Sequence, residues 1–248
     1  MTTEPHHRVL LIGASRGLGL ALAQQHLARG STVVATVRGS GPTALHQVLP
    51  GTDGRLIVET VDITEPDQVD ALRTRLAAQR FDLLLVNAGV TDDESDTVAT
   101  VSTSEFVWLM VTNALSPMRL VEAFQDLVEP AGTIAVMSSG QGSVANNERG
   151  GFEIYRASKA ALNQLMRSYA ARHHDEPRTL LLLAPGWVRT DLGGPAAPLT
   201  VEESIPNLVE TVAAQHGHGG LQYLDHLGRT VRWWPREAGA RAVDVATG

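Results

Sequence analysis

Val9-Leu10-Leu11-Ile12-Gly13-Ala14-Ser15-Arg16-Gly17-Leu18-Gly19 passes from a short apolar run through glycine directly into a helical pattern. Val9–Ile12 reads as a buried strand, because four consecutive apolar residues without alternation suit a strand covered on both faces. Leu18–Ala28 reads as a helix, with Leu18, Leu22 and Leu27 on roughly one face. A strand-to-helix turn built on Gly13, Gly17 and Gly19 allows close backbone approach and leaves N–H groups free at a helix start. A pyrophosphate needs both. Ser15, Arg16 and Leu18 lie between these glycines as further candidate contacts. Gly13-Ala14-Ser15-Arg16-Gly17 also fits a nucleophile elbow, which would make Ser15 an acylating nucleophile. That elbow normally follows several strands, one leading to an oxyanion loop, and none precedes Val9. Gly19 has no part in an elbow either, so the phosphate-binding reading is preferred.

Outward from this turn, short apolar runs alternate with amphipathic stretches. Thr32–Val37, Leu56–Thr60, Leu83–Val86, Thr133–Met137 and Thr179–Leu183 read as further buried strands. Pro66–Gln79 opens with a proline suited to a first helical turn. Ser102-Thr103-Ser104-Glu105 is a capping-box pattern that opens a long helix to about Val128. Another helix runs from about Tyr155 to Arg172 and stops before Pro177. The β-α alternation predicts an α/β fold: a doubly wound parallel sheet, helices on both faces, in one domain spanning 1–248. The ends, 1–7 and 236–248, read as flexible.

Composition narrows the function classes. The formal net charge of -7 disfavours nucleic acid and anionic membrane surfaces as partners, since both reward clustered Lys and Arg. The absence of cysteine excludes disulfides, thiolate catalysis and Cys-based zinc sites. No apolar run approaches the roughly 18 residues that span a bilayer, and the N-terminus lacks an apolar signal core. A cytoplasmic location is the default expectation. His6-His7, His173-His174 and His216-Gly217-His218 have no supporting carboxylate pattern and read as solvated, so no metal is expected.

The second strand bears on the cofactor. Where a ribose-binding acid would stand, about twenty residues past the glycines, the sequence reads Val33-Val34-Ala35-Thr36-Val37-Arg38. Arg38, with Arg16 from the glycine turn, can pair a 2′-phosphate through charge-assisted bonds, so NADP(H) is favoured.

Tyr155 and Lys159, four residues apart on a helical stretch, share a face. A neighbouring ammonium favours phenolate and would lower the tyrosine pKa, fitting Tyr155 to exchange a proton with a carbonyl or alcohol oxygen. The Tyr-x-x-x-Lys pattern is weak by itself. Ser139 follows the Thr133–Met137 strand, at the sheet edge where ligands of doubly wound folds bind, and could hydrogen-bond the substrate oxygen. Asn87-Ala88-Gly89 ends an earlier strand in the same way. Asn113 lies inside the long helix four residues before Pro117, whose ring clashes with the Asn113 carbonyl. A local opening there could hold a water beside Lys159.

Together these residues resemble the short-chain dehydrogenase/reductase family across nearly the whole chain. The resemblance rests on Gly13, Gly17, Gly19, Asp62, Asn87-Ala88-Gly89, Asn113, Ser139, Tyr155, Lys159, Pro185-Gly186 and Thr190, in that order. It implies a catalytic tetrad of Asn113, Ser139, Tyr155 and Lys159. It also implies that Asp62 and Ile63 flank the adenine, and that Pro185, Gly186, Val188 and Thr190 hold the nicotinamide end. Within the family, Pro185–Asp191 with the following Gly-Gly-Pro-Ala-Ala-Pro-Leu-Thr, Tyr155–Lys159 and Trp233-Trp234-Pro235 are similar to small carbonyl reductases of the sniffer and C-factor type. Ile12 replaces the usual Thr, and Val86 replaces a common second Asn. Ser139 and Tyr155 stand sixteen residues apart, a few more than usual, so Gly140–Ile154 must bulge. The implied activity is hydride transfer between NADP(H) and a small carbonyl or alcohol substrate, with an NADP(H)-binding regulator or redox sensor as the alternative. The resemblance suggests pairing into a homodimer or homotetramer through the Ser102–Val128 and Tyr155–Arg172 helices, with a monomer also open. The substrate depends on three loops: Thr91–Asp96 after Gly89, Gly140–Ile154, and the Gly-rich segment after Thr190.

Overall fold

The computed structural model describes residues 7–234. The ends expected to be flexible lie, His7 apart, outside the described residues. Seven strands form one parallel sheet: β1 (Arg8–Ile12), β2 (Thr32–Val37), β3 (Leu56–Thr60), β4 (Phe81–Val86), β5 (Val128–Met137), β6 (Thr179–Ala184) and β7 (Gly220–Asp225). Their spatial order is β3-β2-β1-β4-β5-β6-β7. β1 sits centrally, with Leu10 opposite Val34 of β2 on one side and Leu84 of β4 on the other. The chain reverses its direction of travel across the sheet here, which opens a crevice at the carboxyl ends of β1 and β4.

The uninterrupted apolar runs are explained by two cores, one on each face. Leu10, Ile12, Leu84, Val86, Ile134 and Leu182 point to one side. They pack against helices α2 (Pro66–Arg75), α4 (Ser116–Phe124) and α5 (Glu153–Arg172) through Leu72, Leu120, Phe124, Leu162 and Met166. Their neighbours Val9, Leu11, Leu83, Leu85 and Leu183 point to the other side. They meet helix α1 (Gly17–Ala28) through Leu22 and Leu27, and helix α6 (Val201–Ala214) through Leu208 and Val212. Each such residue, fully buried, contributes about 1.5–3 kcal/mol. Exposed ion pairs such as Arg75–Glu59 contribute roughly 0–1 kcal/mol. The two cores therefore hold the sheet, and surface charge adds little.

Several boundaries differ from the sequence expectation. β4 begins two residues earlier, at Phe81, and β5 begins at Val128, with Val128 paired to Phe81 before a register shift. The long helix expected to reach Val128 is instead a series: α3 (Thr103–Met110), a π turn (Val111–Leu115), and α4, which ends at Phe124. α2 stops at Arg75 rather than Gln79. Two elements were not foreseen. α6 carries an internal Pro206 that interrupts its pattern, although Thr200 and Glu203 form a capping box at its start. β7, an edge strand, follows a glycine-rich turn and mixes Gln and Tyr with Leu. The Gly140–Ile154 segment bulges through two short 3-10 turns. Among the described residues, no helix is long and apolar enough to cross a membrane.

Candidate active site

The glycine turn leaves β1 and is clasped by both neighbouring strands. Gly13 N–H donates to Thr36 Oγ1 at 2.9 Å, and Ala14 N–H to the Thr36 carbonyl at 2.7 Å. From β4, Asn87 Nδ2 donates to the Gly13 carbonyl at 2.7 Å, while the Asn87 and Ala88 N–H groups both donate to the Ile12 carbonyl. Gly13 has φ +88°, and a Cβ there would stand 2.8 Å from Ala88 Cβ. A Cβ on Gly19 would collide with the Gly13 carbonyl. Both positions therefore require glycine. α1 then starts with Arg16 at its N-cap, with no side-chain cap and no acid in its first turn. An uncapped helix start leaves N–H groups available to an anion, so these residues fit a nucleotide's phosphates.

Ser15 and Leu18 are half-buried within this turn. Arg38 is exposed immediately after β2. Arg16 is exposed, and its Nε lies 3.5 Å from the equally exposed Asp191 Oδ2. Asp191 belongs to the segment after β6 that carries the expected nicotinamide-end residues. Pro185 O accepts the Ser204 hydroxyl at 2.7 Å, Val188 bridges Leu199, and Gly193 N–H donates to Thr190 Oγ1 at 3.0 Å. A Cβ on Gly17 would lie 3.7 Å from the Thr190 side chain, so this segment reaches the glycine turn through Thr190, while Gly186 packs against Leu199 and His226. Asp62, just past β3, binds the Thr64 N–H and hydroxyl at 2.9 and 2.7 Å, and Ile63 beside it is buried.

The expected tetrad residues gather on the carboxyl side of β4 and β5. Asn113 falls in the π turn, the local opening expected ahead of Pro117. Its side chain exchanges two hydrogen bonds of 2.9 Å with the Val90 backbone and donates to Ser158 Oγ at 3.0 Å. A Cβ on Gly89 would stand 3.3 Å from Asn113 Oδ1 and 3.4 Å from Lys159 Nζ, so both side chains converge there. Lys159 is buried. Its Nζ donates to the Met137 carbonyl at 2.9 Å and lies 5.7 Å from the Tyr155 ring centre. Ser139 Oγ accepts the Gln141 N–H at 3.1 Å and lies close enough to the Tyr155 hydroxyl to favour its phenolate.

Electrostatics here correct one expectation. Lys159 was expected to lower the Tyr155 pKa, but the net displacement is upward. Burial pushes the phenol up to about 12, against the Ser139 hydrogen bond and reinforced by Tyr223 and the Asp92 carboxylate. Burial also pushes Lys159 down to about 8. Desolvation penalises both charged forms, and it is the leading cause for each.

Two contributors were missed in the sequence. Tyr223 of β7 donates its hydroxyl to the Ser139 carbonyl and packs edge-on against Trp233 at 5.5 Å. Asp92, read only as part of an acidic loop, binds the start of α5. Neither has a local signature: one depended on recognising β7, the other on a contact across more than sixty residues.

Against known proteins, the short chain dehydrogenase family matches residues 7–200. The chain belongs to the short-chain dehydrogenase family. A short-chain dehydrogenase/reductase from Burkholderia multivorans, crystallised with bound NADP, is 55% identical. It superposes with a TM-score of 0.90 over 92% of this chain and 100% of that one. A carbonyl reductase from Pseudomonas aeruginosa in complex with NADP is 38% identical, with a TM-score of 0.85 over 92% and 99% of the two chains. C-signal of Myxococcus xanthus is 32% identical over 165 residues, 66% of this dehydrogenase and 99% of C-signal. The sequence resemblance, both to the family and to its small carbonyl reductases, therefore holds.

Proposed function

We propose that this short-chain dehydrogenase is an NADP(H)-dependent reductase of small carbonyl compounds, reversible toward the alcohol. The observation that carries the reading is the half-buried Tyr155 phenol, with Ser139 beside it and Lys159 one helical turn away, near an uncapped helix start. NADP(H) supplies or accepts the hydride when bound. Gly13–Gly19 and Asn87–Gly89 would cradle its phosphates and ribose, with Asp62 and Ile63 at the adenine and Pro185–Thr190 at the nicotinamide. The bound NADP of the Burkholderia and Pseudomonas relatives supports this choice. So does Arg38, which stands exposed after β2 in place of an acid.

A phenol held well above its ordinary pKa is fully protonated at neutral pH, the form an acid needs. Tyr155 Oη gives its proton to the oxygen that becomes the alcohol. Ser139 holds that oxygen, and its accepted bond from Gln141 leaves the hydroxyl proton free to donate. Lys159 braces the carboxyl end of β5 and would hold the cofactor ribose. Asn113 keeps the π turn against Val90 and would hold a proton-relaying water near Lys159. NADPH oxidation with a panel of ketones, aldehydes and quinones tests this. Tyr155→Phe should lower kcat by about a thousandfold, and turnover that survives the substitution would sink the mechanism. NADPH binding without turnover of any carbonyl would favour the regulator instead.

We further propose that two copies pair through the α3–α4 and α5 faces. Leu115 and Leu165 are exposed there around an apolar groove that also includes Ala114 and Ala161, and Trp108 is exposed on α3. Sedimentation should show a dimer or tetramer that Leu165→Glu converts to monomer. A wild-type monomer at micromolar concentration would refute the pairing.

A further inference from the structure

α5 carries Tyr155 in its first turn but has no cap of its own. Its N-cap position is Phe152, held in the left-handed region at φ 52° and ψ 44°, with no side-chain acceptor. The cap comes instead from the loop after β4. Asp92 Oδ2 accepts the backbone N–H groups of Ile154 at 3.1 Å and of Tyr155 itself at 3.2 Å. The other oxygen, Oδ1, is buried and accepts no hydrogen bond among the described residues. The same loop continues along the helix start: Phe152 N–H donates to the Glu94 carbonyl at 3.3 Å, and Val98 N–H to Glu153 Oε2 at 3.1 Å.

We infer that Asp92 is a positioning residue for the proton transfer: it caps α5 across the fold, sets the first turn that carries Tyr155, and fixes a negative charge beside the phenol. The inference rests on the reading of Tyr155 as the acid and base. Two physical effects are combined. A carboxylate at a helix start satisfies orphan N–H groups and complements the helix dipole. Here it also ties down the strained Phe152 turn, because the capped N–H groups lie two and three residues past Phe152. The second effect is Coulombic, since a nearby negative charge disfavours phenolate. Burial is the larger cause of the raised Tyr155 pKa, and Asp92 adds to it in the same direction.

The groups facing Tyr155 come from four elements: Ser139 after β5, Tyr223 on β7, Lys159 on α5 itself and Asp92 after β4. Around Asp92 stand Asp93, Glu94 and Asp96 on its own loop, with Glu153 and Arg156 on α5. The Arg156 guanidinium is engaged by the Gly150 and Gly151 carbonyls at 3.1 and 2.8 Å rather than by Asp92. The loop expected to contact substrate is thereby fastened to the helix that protonates it.

The test compares Asp92→Ala and Asp92→Asn with wild type and Tyr155→Phe, using NADPH and the panel carbonyl that wild type reduces fastest. Asp92→Ala should lower kcat by about tenfold or more, since a displacement of about 1 Å at a reacting group can cost a hundredfold. KM for NADPH should stay unchanged. Asp92→Asn keeps an acceptor oxygen without the charge and should retain more of kcat than Asp92→Ala. Reduction needs protonated Tyr155 and is lost as pH rises through its pKa. Removing the charge should therefore move the alkaline limb of kcat/KM to lower pH, by about half a unit or more. A purely structural cap would leave that limb in place. Wild-type kcat in Asp92→Ala, or an unmoved limb in Asp92→Asn, overturns the inference while leaving Tyr155 as the acid. Turnover that survives Tyr155→Phe overturns both. If Asp92→Ala does not fold, the Asp92→Asn profile decides.

Discussion

Two of the helices that begin at the carboxyl edge of this sheet, α1 and α5, begin in opposite ways. α1 starts at Gly17 behind an arginine, with no side-chain cap and no acid in its first turn. α5 starts at Glu153 behind a left-handed phenylalanine, and its orphan N–H groups are met by Asp92 from another loop. Both starts present the positive end of a helix dipole to the same crevice. One is left open to a ligand's charge, and the other is closed by an internal charge. On the proposed reading this divides the work: α1 would receive an anion that arrives from solution, while the α5 dipole is met internally by Asp92 and holds the turn that carries Tyr155.

The contrast can be broken most directly by giving α1 a cap of its own. Arg16→Asp places a carboxylate at the N-cap, where it can satisfy the N–H groups that a phosphate would otherwise bind. NADPH affinity measured by calorimetry should fall by about a hundredfold or more, combining lost N–H donors with charge repulsion. Arg16→Ala, which removes the cation and frees Asp191 without adding an acid, should lose less than Arg16→Asp. Equal losses would show that the cation, not the open helix start, carries the binding. A smaller effect is expected at Arg38. Its replacement by Ala should weaken NADPH by about tenfold, the worth of a charge-assisted bond of about 1.5 kcal/mol. NADH should be unaffected, and an equal loss for NADH would show that Arg38 does not read the 2′-phosphate.

The same contrast separates what could be read in the chain from what could not. The α1 side is written locally: strand, glycines and helix are contiguous, and Gly13 and Gly19 are required by backbone approach alone. Asn113 was also legible, because Pro117 four residues later forces the helix open, and the π turn is where that clash falls. The α5 side is tertiary. Asp92 looks like any loop acid until the fold brings it beside Ile154. Tyr223 could not be assigned while β7 was hidden by its mixed polar pattern. The direction of the Tyr155 pKa was misjudged because spacing reveals the nearby ammonium but not the desolvation of both groups in the crevice. α6 is the exception, since Thr200 and Glu203 were a readable capping box masked by Pro206.

The smallest expected effect concerns that desolvation and is read in stability. Lys159 has a folded pKa of about 8, depressed from the ordinary 10.5 by burial. The unfolded chain therefore binds this proton more tightly than the folded one. Stability rises wherever the unfolded state holds more protons, here as pH increases from about 8 towards 10.5. The tyrosines act oppositely. Tyr155 and Tyr169 are both raised from 10 to about 12, so the folded state holds their protons and stability falls once pH passes 10. Between about pH 8 and 10, wild-type Tm should therefore rise relative to Lys159→Met by a few degrees, at roughly 2–4 °C per kcal/mol for a chain of this size. Parallel curves for the two proteins would show that Lys159 remains solvated in the folded state. In that case the closed side of the crevice would be as wet as the open one, and the contrast between the two helix starts would rest on Asp92 alone.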